Sequence, residues 1–226
     1  MDPPSERPGR GRFITLEGGE GAGKSTQVHI LAGALRRRGL SVVTTREPGG
    51  APAAEEIRAL LVGGAVHRWS AMTETLLHYA ARREHLDATI LPMLAAGAWV
   101  ICDRFADSTT AYQGYGHGLG RDAVRALHDL VVGAIRPDLT LILDIPVEEG
   151  LARACRRASD RVGAAGSEDR YERMDRAFHE RVRHGFLAIA EGEPERCIVV
   201  DANRPPDRVA AELERCVLAR LTRDAP

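Results

Sequence analysis

Residues 13–26 read FITLEGGEGAGKST, and this stretch decides the fold. The run FITLE is short and apolar, which predicts a buried parallel strand that ends at the glycines. From Ser25 to Arg38 the apolar residues recur at helical spacing, so a helix follows the glycines directly. A strand, a glycine-rich turn and a helix in this order predict the first unit of a parallel α/β sheet.

The glycine-rich turn matches the pattern GxxxxGK[ST]. Glycines allow backbone N–H groups to surround phosphate oxygens, and the helix presents its positive end to them. Lys24, the single lysine of the chain, is predicted to reach the β- and γ-phosphates and to be exposed in the loop, and Ser25 to bind Mg²⁺. The predicted residues of this nucleoside triphosphate site are Gly18, Gly19, Glu20, Gly21, Ala22, Gly23, Lys24, Ser25 and Thr26.

Strands and helices alternate along the rest of the chain. Apolar runs predict strands at 41–45, 98–102, 139–145 and 197–201. Helical periodicity predicts helices at about 53–62, 71–96, 106–113, 121–134, 147–157, 171–191 and 206–221. The pattern predicts a three-layer α/β fold, a parallel sheet covered on both faces. We expect one domain over 12–222, preceded by a disordered polar tail at 1–11.

Composition and charge exclude several classes of protein. The 31 basic and 32 acidic residues give a net charge of −1, which argues against binding to nucleic acid or to an anionic membrane surface. No apolar run approaches the roughly 20 residues of a membrane span, and the polar start does not resemble a signal peptide. The four cysteines are far apart and predict free thiols in a reducing compartment, so we expect a cytoplasmic protein.

The absence of two motifs excludes two classes of nucleoside triphosphate-binding protein. A switch GTPase needs an Asn-Lys-x-Asp motif, but Asn203 is the only asparagine and Lys24 is already in the phosphate loop. A motor or transporter ATPase usually has an acid pair after a hydrophobic strand, whereas the strand here ends in Asp144-Ile145-Pro146. A phosphotransferase with a small acceptor remains.

A second group of polar residues follows the strand at 98–102. Asp103 and Arg104 come directly after it, and Ser108, Thr109, Tyr112 and Gln113 follow. Open α/β sheets bind ligands at the carboxyl ends of their strands, which favours a binding site here. An Asp–Arg pair can also be a structural salt bridge. The segments 45–50 and 79–83 are expected to face the same side.

The motifs taken together resemble those of thymidylate kinases. From about Arg12 to Leu221 they occur in the order of that family: FITLEGGEGAGKST, TREPGG, LLHYAARREH, GAWVICDRFADSTTAYQG, RPDLTLILDIP, DRYERMDRAFHERVRHGF and IVVDA. The resemblance implies a P-loop nucleoside monophosphate kinase fold with a five-stranded parallel sheet. It also implies Mg²⁺-ATP as donor, dTMP as acceptor, direct in-line phosphoryl transfer and a homodimer.

The resemblance implies roles for individual residues. Arg104 would bind the acceptor phosphate, and Arg82 would donate a hydrogen bond to the pyrimidine O4. Tyr112 would lie under the deoxyribose and crowd a 2′-hydroxyl, while Gln113 would shape the base pocket. Glu20 would contact the acceptor sugar or the water shell of the metal. The other implied substrate-binding residues are Glu47, Pro48, His78, Asp103, Ser108 and Thr109.

Residues 153–170 match the lid of the family. Some thymidylate kinases carry an arginine in the phosphate loop and others supply it from the lid. Position 21 is Gly, so the chain resembles the bacterial subtype with lid arginines. Arg153 and Arg157 would then stabilise the transferring phosphoryl group, with Arg156 and Arg161 as less certain members of the cluster. The alternative is that these arginines form a solvated face.

His78 stands where the family usually has a Phe that stacks on thymine. An imidazole can stack, but near its ordinary pKa of about 6.5 it would become charged between pH 7 and 5.5, and dTMP affinity would fall. Two alternatives therefore stay open at this point. One is a kinase for another deoxypyrimidine monophosphate, such as a 5-modified one. The other is an inactive nucleotide-binding sensor, against which the intact Lys24, Ser25 and Arg104 count.

Overall fold

The computed structural model describes residues 11–159 and 170–221. Within these residues, five parallel strands form one sheet in the order β2-β3-β1-β4-β5. All five predicted strands are confirmed, and each lies within one residue of its predicted bounds. The strands are β1 (Phe13–Glu17), β2 (Val42–Arg46), β3 (Trp99–Asp103), β4 (Leu139–Asp144) and β5 (Cys197–Asp201). The predicted tail at 1–11, the domain limits 12–222 and Arg161 fall wholly or partly outside the described residues and stay predictions.

Helices occupy the predicted stretches, with some shifted ends. The predicted helix at 71–96 contains a π-helical segment at Leu86–Ile90, and the one at 106–113 continues through another at Thr110–Gly116. The helix predicted from 171 begins only at Arg176, because Asp175 caps it by accepting the Phe178 backbone N–H at 2.6 Å. The helices are α1 (Lys24–Arg37), α2 (Pro52–Val62), α3 (Ala71–His85), α4 (Leu91–Ala95), α5 (Ala106–Thr109), α6 (Arg121–Val131), α7 (Val147–Ser159), α8 (Arg176–Gly192) and α9 (Pro206–Leu221).

The core lies on both faces of the sheet, as the continuous apolar strands predicted. Every residue of β1 is buried. Ile14 packs with Leu31 of α1 and Val217 of α9 in one cluster, whereas Phe13 packs with Tyr79 of α3 in another. Successive side chains of a strand point to opposite faces, so β1 supplies both clusters. The three-layer α/β architecture is therefore confirmed.

The register of the central strands brings the motifs together. Leu16 of β1 pairs with Asp103 of β3, and Asp103 also pairs with Arg46 of β2. The glycine-rich turn after β1, the Asp-Arg segment after β3 and the turn after β2 therefore leave the sheet side by side. This edge is where an open parallel sheet binds its ligands.

Across residues 11–159 and 170–221, every helix is too short or too polar to pass through a lipid bilayer.

Candidate active site

A cavity of about 300 Å³ lies along this carboxyl edge. Most of the predicted site residues line it, although they come from separate segments of the chain. They are Glu20, Gly21, Lys24, Ser25, Glu47, Pro48, His78, Arg82, Asp103, Arg104, Ser108, Thr109, Tyr112, Gln113 and Arg157. Of the remaining predicted residues of the phosphate loop, Gly18 and Gly19 line a smaller cavity, to which Glu20 also contributes.

The glycines of the phosphate loop have backbone shapes that side chains disfavour. Gly18, Gly21 and Gly23 have φ values of 132°, 70° and 89°. At Gly21 a Cβ would also lie 1.9 Å from the Gly150 carbonyl oxygen at the start of α7. The loop therefore requires glycine at this position, both for its conformation and for close packing.

Lys24 is buried, contrary to the expectation that it is exposed in the loop. It is the first residue of α1 and is only 7% exposed. Its Nζ donates to the carbonyl oxygens of Gly18 at 3.0 Å and Gly19 at 2.7 Å, so the ammonium folds back onto the loop. Burial, together with the nearby Arg104 charge, lowers the pKa of Lys24 to about 8.

Ser25 and Asp103 meet at the outer side of the loop. The Ser25 hydroxyl donates a hydrogen bond to Asp103 Oδ2 at 2.6 Å, and Ser25 is exposed to solvent. A hydroxyl and a carboxylate beside a phosphate site are hard oxygen donors, the type that Mg²⁺ prefers. The residues present therefore fit the metal that the sequence predicts.

Arg104 is surrounded by acceptors. Its Nη1 donates to the Gly18 carbonyl oxygen at 2.9 Å and to Ser108 Oγ at 3.1 Å. Its Nη2 donates to Glu20 Oε1 at 3.0 Å and to the Tyr112 hydroxyl at 2.9 Å. The guanidinium is thereby held between the phosphate loop and the segment after β3.

Glu20 carries a negative charge between two cations. Burial alone would raise its pKa, but Arg104 and Lys24 outweigh that effect and lower it to about 2. The Tyr112 hydroxyl donates to Glu20 Oε1 at 2.7 Å, which also favours the carboxylate. Glu20 therefore neutralises part of the positive charge of Arg104 and Lys24 at the cavity.

Arg82 is a buried cation, and one nitrogen of its guanidinium group makes no hydrogen bond within the described residues. It is 2% exposed, and its Nε donates to Glu47 Oε2 at 2.8 Å. Its Nη2 donates to the Phe105 carbonyl oxygen at 3.1 Å and to Thr109 Oγ1 at 2.9 Å. Nη1 has no hydrogen-bond partner among the described residues. A buried donor without a partner costs free energy, which points to an acceptor supplied by a ligand.

The ring of His78 lines the cavity, but one of its nitrogens is already engaged. Its Nε2 lies 2.8 Å from the hydroxyl of Tyr171, a residue that sequence reasoning did not assign to the site although it belongs to the motif DRYERMD. Burial lowers the pKa of His78 to about 4. The expectation that His78 becomes charged between pH 7 and 5.5 is therefore wrong, because desolvation and the charges of Arg82 and Arg170 outweigh the carboxylates of Glu74 and Glu47.

Glu74 connects Gln113, which lines the cavity, to Arg170, the first described residue after the gap at 160–169. Its carboxylate accepts from Gln113 Nε2 at 2.7 Å and forms a short ion pair with Arg170. Arg170 also donates to the carbonyl oxygens of Leu61 at 2.7 Å and Val66 at 3.0 Å. Sequence reasoning missed Glu74 and Arg170. An acidic residue buried on α3, one turn before His78, was the available signal.

The two lid arginines of α7 go to different places. Arg157 lines the cavity, and its Nη2 lies 3.9 Å from Glu172. Arg153 instead donates to the Ala202 carbonyl oxygen at 3.0 Å and to Asn203 Oδ1 at 3.3 Å, beyond the end of β5. The expectation that Arg153 faces the transferring phosphoryl group is therefore not met by the described structure. The rest of the predicted lid, at 160–169, lies outside the described residues.

The fold and the site together define a class of protein. A phosphate loop after the central strand, an Asp-Arg segment beside it and a five-stranded parallel sheet are the features of a P-loop nucleoside monophosphate kinase. The buried Arg82 and the neighbouring polar wall leave room for a second ligand next to the phosphate loop.

Comparison with known proteins gives the family. The family model described as thymidylate kinase matches residues 16–213. A thymidylate kinase of Caulobacter vibrioides is 54% identical over 212 residues, which cover 94% of this chain and 98% of that relative. One of Alkalilimnicola ehrlichii is 51% identical and covers 95% of both chains. A crystal structure of thymidylate kinase from Ehrlichia chaffeensis superposes with a TM-score of 0.71 at 36% identity, covering 92% of this chain and 98% of that one. The chain belongs to the thymidylate kinase family, the ATP-dependent kinases that phosphorylate dTMP to dTDP.

Proposed function

We propose that this chain transfers the γ-phosphoryl group of ATP to the 5′-phosphate of dTMP, giving ADP and dTDP, through the residues assigned below. The observation that carries the assignment is the single cavity that joins Lys24 and Ser25 at one end to Arg82 and His78 at the other. The acceptor oxygen of a nucleoside monophosphate is already ionised, so no covalent enzyme intermediate is needed. Catalysis then consists of positioning and charge stabilisation.

The phosphate loop and Lys24 hold the donor. Lys24 Nζ donates to the carbonyl oxygens of Gly18 and Gly19. Phosphate oxygens offer better acceptors, since bonds between an ammonium and an anion are charge-assisted. We assign Lys24 to the β- and γ-phosphates, and the backbone N–H groups of Gly21, Ala22 and Gly23 to the remaining phosphate oxygens.

Ser25 would hold Mg²⁺, with Asp103 orienting the Ser25 hydroxyl through their hydrogen bond. When bound, the metal neutralises charge on the phosphates of ATP. Asp103 is thus better placed for the metal side of the cavity than for the pyrimidine.

Arg104 would bind the acceptor phosphate. Four hydrogen bonds engage its two terminal nitrogens, and one of them goes to the Glu20 carboxylate. A dianionic phosphate can take the place of Glu20 on Nη2. Glu20 would then be free to contact the acceptor sugar, and Tyr112 would lie under that sugar and crowd a 2′-hydroxyl. The exchange of one anion for another keeps the Arg104 charge compensated throughout.

Arg82 would select the base. Its Nη1 is the donor without a partner, and a pyrimidine O4 is an acceptor that would satisfy it. A cytosine offers an amino group at this position, which would face a cation and leave both groups unsatisfied. Gln113 is held by Glu74 at the side of the pocket, and Glu47, Pro48 and Thr109 complete the wall around Arg82.

Arg157 would supply the lid charge during transfer. It lines the cavity and reaches it from α7, as expected of the subtype with lid arginines. A cation that approaches only the transferring phosphoryl group stabilises the transition state more than the bound substrates. Arg153 would act indirectly, by holding α7 against the turn after β5.

We also propose a cytoplasmic homodimer. The large apolar side chains of Met72, Leu76 and Leu130 are 41%, 49% and 81% exposed on α3 and α6. These two helices are joined by a hydrogen bond from Arg83 to the Val131 carbonyl oxygen. Exposed apolar groups of this size on adjacent helices are typical of a protein interface.

Sedimentation velocity of Leu130→Asp tests the dimer. We expect the wild-type chain to sediment as a dimer and the variant as a monomer, since a buried charge opposes association. Ile30→Asp, at a 39% exposed apolar residue on α1, is the control and should stay dimeric. A wild-type chain that sediments as a monomer at micromolar concentration contradicts the proposal.

ADP release in a coupled assay with a panel of acceptors tests the proposed activity. We expect turnover with dTMP, weaker turnover with dUMP, and none above background with dCMP or with ATP alone. Lys24→Ala serves as the inactive control. A clear preference for 5-hydroxymethyl-dUMP over dTMP would move the assignment to a 5-modified pyrimidine. Absence of ADP release with every acceptor would favour the inactive nucleotide-binding sensor.

A further inference from the structure

Glu17 is a buried carboxylate for which the assigned mechanism has no role. It is the last residue of β1 and has no exposed surface. Its Oε1 accepts the Phe105 backbone N–H at 2.7 Å, and its Oε2 accepts the Ser108 hydroxyl at 2.6 Å. Both bonds go to the segment that follows β3, one to the residue directly after Arg104 and one to the residue four positions after it.

Arg104 needs support of this kind. It is the only non-glycine residue with a positive φ, 72°, in the part of the chain that the structure describes. Such a conformation is unfavourable for a side chain with a Cβ, and it persists only where neighbouring bonds hold it. Glu17 binds the peptide group that follows Arg104, while the Arg104 backbone N–H donates to the Leu16 carbonyl oxygen at 3.0 Å.

The same carboxylate also reaches the Arg104 guanidinium through one intermediate. Ser108 donates its hydroxyl proton to Glu17, which leaves the lone pairs of its oxygen for Arg104 Nη1 at 3.1 Å. The proton of the Ser108 hydroxyl thus has a defined direction. If Glu17 donated to Ser108 instead, its proton would compete with Arg104 for those lone pairs.

We propose that Glu17 is a positioning residue for acceptor binding: as a carboxylate, it holds both the backbone and the guanidinium of Arg104 in the orientation that receives the acceptor phosphate. This inference rests on the proposed role of Arg104 in binding that phosphate. Glu17 itself does not line the cavity and touches no reacting atom.

The surroundings of Glu17 make this function depend on pH. Burial, and the nearby charge of Asp107, raise its pKa to about 7, although the Ser108 hydroxyl, the Arg104 charge and the Phe105 N–H oppose the shift. Other ionisable groups that interact with Glu17 from the surrounding elements are Lys24, Arg82, Cys102 and Cys197. Protonation below pH 7 would replace one accepted hydrogen bond by a donated one and weaken the hold on Arg104.

Steady-state kinetics of Glu17→Gln test the inference. The amide keeps an acceptor for Phe105 but must donate to Ser108, where it competes with Arg104 for the lone pairs of the hydroxyl and weakens the Arg104 link. We expect KM for dTMP to rise roughly tenfold at pH 8, the loss of about one charge-assisted hydrogen bond, with a smaller change in kcat and in KM for ATP. The ratio of the two KM values, variant over wild type, should fall towards one as pH drops from 8 to 6.3.

Using this ratio removes ionisations that the two enzymes share, including that of the acceptor phosphate. Asp138→Asn is the matched control. Asp138 accepts the Phe13 backbone N–H at 2.7 Å at the other end of β1, far from Arg104 in the register of the strand. Its KM for dTMP should equal that of the wild type. Ser108→Ala should raise KM on its own, and the double variant Glu17→Gln/Ser108→Ala should show less than the product of the two effects.

Each outcome decides the inference. A folded Glu17→Gln variant with wild-type KM for dTMP at both pH values overturns it, as does a ratio that does not change with pH. If Glu17→Gln does not fold, the KM ratio of Ser108→Ala to wild type across the same pH range replaces it, and a ratio independent of pH overturns the inference. Arg104→Lys separates the two proposals. If its KM for dTMP is unchanged, the role of Arg104 itself fails; if it rises while Glu17→Gln is silent, only the inference fails.

Discussion

At the scale of single residues, charge compensation explains most of the site. Lys24 and Arg82 are 7% and 2% exposed, the Arg104 side chain is 17% exposed, and each of the three is held by oxygen atoms of the protein. A buried cation whose hydrogen bonds are not all made raises the free energy of the protein. A ligand that supplies the missing acceptor, such as an anionic phosphate or the carbonyl group of a base, is therefore favoured. Two predictions belong to this scale.

Lys24→Ala should lower kcat by at least about 100-fold, as loss of a charged group that faces the transferring phosphates does. The melting temperature should stay near that of the wild type. Burial lowers the pKa of Lys24 to about 8, which shows that its charge is disfavoured in the free protein, so removing it does not remove a stabilising ion.

The measurements are coupled-assay kinetics and thermal melting. In the wild type, kcat/KM for ATP should also decline as pH rises above 8, where free Lys24 loses its proton. Near-normal turnover of Lys24→Ala would contradict its assignment to the phosphates, and Lys24→Arg tests whether a forked cation can replace a compact one.

His78→Phe should keep or lower KM for dTMP, because a larger apolar ring gains stacking worth roughly 1–3 kcal/mol on a base. Since the pKa of His78 is about 4, no change in dTMP affinity between pH 7 and 5.5 should come from this residue. The decisive measurement is a competition assay between dTMP and 5-hydroxymethyl-dUMP as acceptors, carried out with the wild type and with His78→Phe. If 5-hydroxymethyl-dUMP is the natural acceptor, the substitution should reverse the order of the two substrates.

Tyr171→Phe is the control for the His78 prediction. It removes the hydroxyl that lies 2.8 Å from His78 Nε2 but keeps the imidazole, and so separates stacking from orientation of the ring. Unchanged kinetics of His78→Phe on every pyrimidine would show that His78 does not contact the base.

At the scale of elements, α7 contacts two separate places, the turn after β5 and the cavity. Arg153 and Arg157 lie one turn apart, yet their long side chains reach the turn after β5 and the cavity respectively. A helix that is anchored at one side can present a charge at the other, and the Gly150 backbone at its start packs against the phosphate loop.

Arg157→Ala should therefore lower kcat by about 10- to 100-fold with little change in KM for dTMP, because the charge acts mainly in the transition state. Arg153→Ala should have a smaller effect, spread over kcat and KM for ATP. The exposed Arg156 is the control, and Arg156→Ala should match the wild type. Single-turnover kinetics in which Arg157→Ala and Arg153→Ala both keep the wild-type rate would return the cluster to a solvated face.

At the scale of the whole molecule, Glu17 links stability to pH. Its pKa of about 7 in the folded protein is above its ordinary value of 4.5, so between these values the folded state holds a proton that the unfolded state has released. Stability from this group falls as pH rises from about 4.5 to 7 and stays low above 7. Glu17→Gln removes this dependence.

The melting temperature of Glu17→Gln, relative to wild type, should therefore increase between pH 4.5 and 7 and level off above 7. At pH 8 we expect Glu17→Gln to be at least as stable as the wild type and to bind dTMP less well. Such a trade-off between stability and function is common at strained functional sites. Differential scanning fluorimetry across this range measures it, with Asp138→Asn as the reference variant. A constant offset across the range would contradict the raised pKa.

Local patterns predicted the five strands and the phosphate loop, and the resemblance to thymidylate kinases implied most of the other residues that line the cavity. The run FITLE predicts a strand and the glycines after it predict a turn, because apolar patterning and the backbone freedom of glycine act over a few neighbouring residues. The ends of helices were less predictable. The start of α8 depends on Asp175 as a cap, and the π-helical segments after α3 and α5 have no simple signal in sequence.

The tertiary structure alone decided how charged side chains pair. Glu17 and Phe105 are 88 positions apart, and His78 and Tyr171 are 93 apart, so no local pattern could join them. Burial of Lys24, the destination of Arg153 and the low pKa of His78 likewise follow from what the folded chain packs around each group. The sequence determined which residues reach the carboxyl edge of the sheet. Packing determined which of them meet, because hydrogen bonds and desolvation act through space, whatever the separation along the chain.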